Sequence, residues 1–313
     1  MSVVVIAVGG NSLIKDPAHS TVPDQYRAVC ETVDHVVPLI QQGWRVVLTH
    51  GNGPQVGFII FRSELSRHML HEVPLDSCVA DTQGAIGYQF QLAMGNAFRV
   101  AGLDKRAVTV VTQVEVDPAD PAFVSPNKPI GGFMKEDQAR QRKEQDGWDV
   151  MEDAGRGWRR VVPSPMPLSI VELDIISRLV EQEVVVIAVG GGGIPVVRRP
   201  DGSFTGTAAV IDKDRASSLL ASHLQADAFL ISTAVEKVYL NFNTPQQKAL
   251  ETITVAEAQQ YLREGHFKAG SMKPKVEAAI DYLRQGRGRA VITNPENIGP
   301  ALAGQAGTQI VPG

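Results

Sequence analysis

VVVIAVGG, residues Val3–Gly10, runs from six apolar residues straight into paired glycines, and the same eight letters return at Val184–Gly191. Polar residues do not alternate with the apolar ones, so this is no half-exposed strand. It is the pattern of a strand buried on both faces, as in a mostly parallel sheet with helices above and below. The identity stops at the glycines, with Asn11-Ser12-Leu13 following one copy and Gly192-Gly193-Ile194 the other. So short and so apolar a match reads as shared duty, a buried strand that delivers glycine backbone, and not as a duplication.

Working outward, Arg45–Thr49, Ala107–Thr112, Val184–Val189, Ala228–Ser232 and Arg289–Thr293 are runs of the same kind. Between them lie helix-length segments with one apolar stripe: Asp24–Gln42, Pro54–Leu70, Thr82–Ala101, Ser169–Gln182, Asp212–Gln225 and Pro274–Gln285. Thr254 and Glu257 have capping-box spacing, which predicts a further helix running to Glu264. Such alternation means an α/β fold with an open, helix-covered sheet. It breaks between Glu115 and about Pro165, where DPADPAFVSPNKP and VVPSPMP flank a mixed-charge segment. The charge run reads as a solvated helical face, and an excursion this long between two strands reads as an active-site lid. Residues 1–165 are therefore read as one lobe, including a lid subdomain at about 115–165, and residues 166–313 as the second.

The 313 residues are 43% hydrophobic and 20% charged, the balance of a folded chain. A formal net charge of −4 argues against a general polyanion-binding surface, so nucleic acid is not an expected partner. Phosphate chemistry would rest on a few local cations. No run approaches the ~18 apolar residues of a membrane span, and the opening apolar stretch is too short for a secretory signal and lacks a cationic flank. The two cysteines, Cys30 and Cys78, form no CxxC and fit buried thiols in a reducing, cytoplasmic compartment.

Gly9-Gly10-Asn11, His50-Gly51-Asn52-Gly53 and Gly190–Gly193 each follow a predicted strand. Parallel sheets bind ligands beyond the carboxyl ends of their strands, where glycine turns aim successive N–H groups at an anion. Three such exits at one edge predict a phosphate-sized site. The usual nucleotide signatures do not account for it. GxxxxGK[ST] does not occur, and VGGGGIPVV carries Pro195 where a dinucleotide fingerprint needs its third glycine. His68 and His71 lack HExxH spacing, and no metal-ligand set is expected on the protein. Three cations look placed. Lys213 stands between Asp212 and Asp214 at a helix start, and Lys275 opens another helix, where a lysine opposes the dipole but a phosphate suits it. Lys128 lies in NKPIGG within the lid.

In order along essentially the whole chain, AVGGNSL, THGNGPQVG, DTQGAIGY, NKPIGGF, VVPSPMP, AVGGGGIPV, AVIDKDRAS, FKAGSMKPKVEAA and ALAGQAGT resemble the motifs of the carbamate kinases, a branch of the amino acid kinase family. The resemblance implies a three-layer αβα sandwich with an open, mainly parallel sheet and a protruding lid, and a homodimer. It implies reversible phosphoryl transfer between ATP and carbamate, with carbamoyl phosphate and ADP on the other side and Mg²⁺ carried by the nucleotide. Motif by motif, it places Gly9, Gly10 and Asn11 beside the transferring phosphate and Gly51, Asn52 and Gly53 around carbamate. Lys128 would close over the acceptor, Lys213 and Lys275 would contact the phosphates, Asp214 would hold the two lysines, and Asp212 would stand nearby. The adenine side would use STAVEKVYLN, with Val235 and Tyr239, and Met272.

The residue chemistry agrees independently, because a loose phosphoryl-transfer transition state needs alignment and spread-out positive charge more than covalent help. Many amino acid kinases carry a lysine two residues before the first Gly-Gly; here that residue is Ala7, and Lys213 is the substitute, reaching in from the opposite lobe. Departures from the resemblance are Ser12 after GGN, Gly132 after KPIG, Glu236 in STAVEKVY and Asp81 before TQG; an inward-pointing Asp81 would change which acceptor fits. The alternatives are a kinase of this fold with another small acyl or carboxylate acceptor, and a non-catalytic sensor of carbamoyl phosphate or nucleotide.

Overall fold

The computed structural model describes residues 2–10, 13–14, 16, 18–153, 155, 157–268, 270–285 and 288–313. The chain opens with β1 (Val3–Val8), α1 (Val22–Gln41), β2 (Arg45–His50), α2 (Gly53–Ser66), α3 (Leu75–Val100) and β3 (Ala107–Thr109). It turns aside through β4 (Gln113–Val116), β5 (Lys128–Met134), α4 (Glu136–Asp146), β6 (Asp149–Glu152), β7 (Trp158–Val162) and β8 (Pro167–Ile170). It returns through α5 (Leu173–Glu181), β9 (Val185–Ile187), β10 (Ile194–Arg198), β11 (Phe204–Gly206), α6 (Lys213–His223) and β12 (Ala228–Ser232). The last stretch holds β13 (Val238–Leu240), β14 (Lys248–Leu250), β15 (Thr252–Thr254), α7 (Val255–Arg263), α8 (Met272–Gln285), β16 (Arg289–Thr293), α9 (Ile298–Leu302) and β17 (Thr308–Val311).

The main sheet has the order β15-β17-β16-β12-β1-β2-β9-β3, and from β16 to β3 every pair is parallel; β17 runs antiparallel to β16. Alternate residues of β1 divide between two cores. Val5 and Ala7 pack with α5, α6, α7 and α8, whereas Val4, Ile6 and Val8 pack with α1, α3 and α9. Helices cover both faces, which is why these strands read as continuous apolar runs. The fold is an α/β three-layer sandwich with a mainly parallel sheet. β9, from the second half of the chain, lies between β2 and β3 of the first.

Beside it stand a four-stranded sheet, β11-β10-β4-β8, and the segment read from the sequence as a lid, in which β5-β7-β6 form a small sheet with α4 packed against it. The lid meets the body through a third apolar cluster that joins Ile130 and Val162 to Val56, Leu75, Cys78 and Val79.

Several boundaries differ from the sequence reading, each for a packing reason. α3 starts at Leu75 and not at Thr82, because Leu75, Cys78 and Val79 bury against the lid and do not continue the stripe that faces the sheet. The strand expected at Ala107–Thr112 stops at Thr109, and Gln113–Val116 joins the second sheet. Ser169 lies in β8 and the helix after it begins at Leu173. The repeat also diverges in shape: β9 ends at Ile187, and Val189 adopts left-handed backbone (φ 53°, ψ 33°), unusual for a β-branched residue. The capping box at Thr254 and Glu257 is present and starts α7.

Candidate active site

β1, β2 and β9 are parallel neighbours, so their three glycine exits leave the same edge of the sheet. At the first exit the backbones touch. Gly51 N–H donates to Val8 O at 3.0 Å, and a Cβ on Gly51 would stand 2.6 Å from Gly10 N. Only a residue without a side chain permits this approach. The same Cβ would lie 3.5 Å from Cδ of Lys213, so the lysine stem runs along the two touching turns.

At the third exit Gly191 (φ 69°) leaves room for Asn52, whose Nδ2 would be 2.0 Å from a Cβ placed there. Asn52 sits at the N-cap of α2 but does not cap it. Its Nδ2 donates to Thr82 Oγ1 at 2.8 Å, which leaves the first amides of α2 without a side-chain acceptor. Gln83 ties the turn down: Nε2 donates to Gly190 O (2.9 Å) and Thr112 O (3.1 Å), and Oε1 accepts from Thr112 N (2.7 Å). Thr112 Oγ1 in turn accepts from Val189 N at 3.0 Å, bracing the strained residue. His50 is buried beside them, with Nδ1 3.2 Å from Gly51 O. A carbonyl only accepts, so Nδ1 carries the proton, and burial pushes the imidazole down to about 4, keeping it neutral.

The charged part of the site is built on the first turn of α6. Asp212 is the N-cap, and its Oδ1 accepts from Asp214 N at 2.9 Å and Arg215 N at 3.4 Å. Its Oδ2 takes Lys128 Nζ from the lid at 2.7 Å. Asp214, 3% exposed, divides its oxygens between two lysines: Lys213 Nζ at Oδ1 (2.5 Å) and Lys275 Nζ, from α8, at Oδ2 (3.0 Å). The turn is fixed to β2 by Ser217 Oγ, which donates to Lys213 O at 2.6 Å and lies 2.6 Å from Thr49 Oγ1. Burial would raise both carboxyls, but their lysines outweigh it and hold both below the usual carboxylate range. Burial lowers the Lys213 ammonium below the ordinary lysine range, and Asp214 only partly offsets this. Three ammonium groups against two carboxylates leave a positive remainder beside the glycine amides, and that combination binds phosphate.

Of the sequence candidates, Lys128, Asp212, Lys213, Asp214 and Lys275 form one connected cluster, with Gly10 and Gly51 against its Lys213 stem. Gly9 follows β1 at the same edge, and Gly53 opens α2. Asn11 and Ser12 lie outside the described residues. Val235 and Tyr239 follow β12, whose carboxyl end shares the edge of β1, and Met272 begins α8 one turn before Lys275. Asp81 is exposed on α3. Sequence reasoning missed Gln83, Thr112, Thr82, His50 and the Thr49–Ser217 tie. Gln83 lay inside DTQGAIGY and His50 inside THGNGPQVG, yet polar residues that brace backbone have no spacing of their own to reveal them.

A sequence profile of the amino acid kinase family matches residues 2–294. The chain is 49% identical to the carbamate kinase-like protein YahI of Escherichia coli, over 98% of each chain. It is 47% identical to the carbamate kinase of Staphylococcus haemolyticus, over 99% of each. The structure of Giardia lamblia carbamate kinase bound to AMP-PNP superposes with a TM-score of 0.93 at 40% identity, covering 100% of this chain and 99% of that one.

Proposed function

The chain belongs to the amino acid kinase family and, within it, to the carbamate kinases, and from that premise we propose that it moves a phosphoryl group reversibly between ATP and carbamate, with carbamoyl phosphate and ADP as the opposite pair. The observation that carries the site assignment is the pair of lysines on one buried carboxylate: Lys213 and Lys275 are each held by a different oxygen of Asp214. An aspartate shared in this way fixes the spacing of two ammonium groups before any substrate arrives. Electrostatic catalysis requires such preorganisation.

In this reading Asn11 and the amides around Gly9 and Gly10 stabilise the phosphoryl in transfer, and Gly51, Asn52 and Gly53 hold the acceptor at the uncapped start of α2. Lys213 and Lys275 neutralise the equatorial and leaving oxygens. Lys128 covers the acceptor from the lid, with residues 1–165 serving the acceptor and 166–313 the nucleotide. Val235, Tyr239 and Met272 would bound the adenine. Asp212 and Asp214 are already ion-paired, so Mg²⁺ would enter on the nucleotide phosphates and supply further charge neutralisation there. Tyr88 and Leu92, four residues apart on α3, are exposed apolar side chains that the proposed homodimer would cover. Among the described residues no helix is long and apolar enough to cross a membrane, and we place the enzyme in the cytoplasm.

The direct test couples ATP formation from ADP and carbamoyl phosphate to a reporter. Turnover is expected, and its absence with this donor overturns the reading. Two variants then probe the lid. Lys128→Ala is expected to lower kcat about a hundredfold and to raise the acceptor KM, because a lid residue positions as well as stabilises. Asp212→Asn is the finer instrument. Asparagine caps a helix as well as aspartate, so thermal stability should fall by no more than the lost ion pair contributes, about 1 kcal/mol. The lost Lys128 partner, worth about 1 kcal/mol, should raise the acceptor KM about fivefold with little change for the nucleotide. Equal rises in both KM values would show that Asp212 does not act through the lid.

A further inference from the structure

A cavity of about 490 Å³ lies between α2 and the lid, and no residue of the lysine and aspartate cluster lines it. It extends to Glu64 and Arg67 at the far end of α2, eleven residues beyond Gly53 in the case of Glu64, or roughly 16 Å along the helix. Its near end, at Gly57 and Ile130, adjoins the acceptor turn, and its Glu64 and Arg67 end lies well away from it. One wall is apolar: Ile60 and Phe61 from α2, Ile130 and Met134 from the lid. α4 also lines it with Gln138, Gln141 and Gln145; Gln141 Nε2 donates to Gln145 Oε1 (3.2 Å) and Gln138 Oε1 accepts from Lys135 N (3.0 Å), which leaves the amide nitrogens of Gln138 and Gln145 as donors.

The third element is charge. Three guanidinium groups line the cavity, and two carboxylates serve them. Asp146 pairs with Arg67 (2.8 Å) and Arg142 (2.7 Å), and Glu64 pairs with Arg142 (3.5 Å). Arg160 has no ion pair among the described residues. Its guanidinium carbon stands 4.7 Å from the centroid of the Trp148 ring, with that of Arg142 at 4.9 Å from the same ring. Glu64, Glu72 and Asp146 act on Arg160 at longer range, and burial nonetheless keeps it below the ordinary arginine range. Stacking on an aromatic face orients a guanidinium and leaves its N–H edge available. A part-buried cation without a direct counter-ion is costly, and an arriving anion removes the cost.

We propose that this cavity is an accessory site for a small organic anion, a carboxylate or phosphate head on an apolar body, whose occupancy sets the gap between α2 and the lid. The head meets Arg160 and the glutamine amides of α4; the body covers Ile60, Phe61 and Met134. A bare inorganic anion would leave the apolar wall wet, and a neutral body would leave Arg160 unpaired, so both parts are needed. The walls belong to the lid on one side and to its base on the other, so the occupant changes how Lys128 reaches the acceptor. The site itself stands independently of the proposed reaction; only the lid coupling rests on it.

The experiment is calorimetric titration of the full chain with phenylacetate, phenyl phosphate, inorganic phosphate and benzyl alcohol, in the presence of saturating ADP. Phenylacetate or phenyl phosphate is expected to bind one to one, the tighter of the two identifying the head, with benzyl alcohol and inorganic phosphate about tenfold weaker or worse. Arg160→Gln should weaken binding about tenfold or more, on the scale of a lost charge-assisted hydrogen bond. Ile60→Trp, which fills the apolar end and alters no charge, should do the same. Affinities that neither variant changes place the ligand elsewhere and overturn the site, as does failure of both aromatic anions to bind. In the wild type, saturating phenylacetate should shift the acceptor KM about threefold or more, and the shift should vanish in Arg160→Gln. An unmoved KM overturns the coupling to the lid. Binding heat needs no turnover, so failure of the proposed reaction and failure of this site are read separately.

Discussion

Lys213→Ala is expected to lower kcat by about a hundredfold or more, on the scale of losing one preorganised charge donor. The lysine is nearly buried, its stem lies against the touching turns at Gly10 and Gly51, and its ammonium is held by Asp214. Lys275, on the other oxygen of Asp214, comes from α8, whereas the Lys213 stem runs along the glycine turns. Folding should survive, because Asp212 still caps α6 and Ser217 still ties that turn to β2. Steady-state kinetics with a thermal melt checks both halves. A rate within about threefold of wild type would mean that another group carries the charge. Lys213→Arg should not restore activity. The Lys213 ammonium is a compact point charge on Asp214 Oδ1, and a planar, forked guanidinium cannot reproduce its position there.

The layers of the sandwich were legible because burial on both faces leaves a plain trace, an unbroken apolar run, and β1, β2, β12 and β16 coincide with such runs almost residue for residue. What escaped was packing against anything other than the main sheet. The start of α3 turns Leu75, Cys78 and Val79 toward the lid, and β4, β10 and β8 are short strands of a second sheet whose neighbours are distant in sequence. Periodicity reports that a residue is buried, not which surface buries it.

The site shows a similar division. Lysines beside glycines could be singled out because a cation at a helix start opposes the dipole and so asks for an explanation. The chain of support behind them could not. Gln83, Thr112 and Val189 matter through backbone that they brace, and an Asn52 that declines to cap its helix looks from its letters like an ordinary N-cap. The resemblance sets Asp212 only near the phosphate-contacting lysines, and its bond to the lid lysine is visible only when residues eighty-four positions apart are brought together. Local rules are broken at the glycine exits, where the candidate site lies.

The second large effect concerns Asp214. Asp214→Asn is expected to lower kcat by about a thousandfold, more than loss of either lysine, because breaking a buried pair from the carboxylate side costs about 3–5 kcal/mol and leaves two ammonium groups facing each other. The pH profile distinguishes this cause from simple misfolding. Burial lowers the Lys213 ammonium, Lys275 lowers it further, and Asp214 is the principal group that raises it. The wild-type rate should therefore fall on the alkaline side before an ordinary lysine would titrate. Without the carboxylate the Lys213 value drops again, so the alkaline limb of Asp214→Asn must move to lower pH. Stability gives the complementary sign. The Asp214 carboxyl is held below its ordinary value of 3.8, so its contribution is present above that value and fades as pH falls through the folded-state value. Melts taken downward from neutral pH should show a shallower acid decline in Asp214→Asn than in wild type. An alkaline limb that stays in place would show that Lys213 does not depend on Asp214 for its charge, and the paired-lysine account of the site would fall with it.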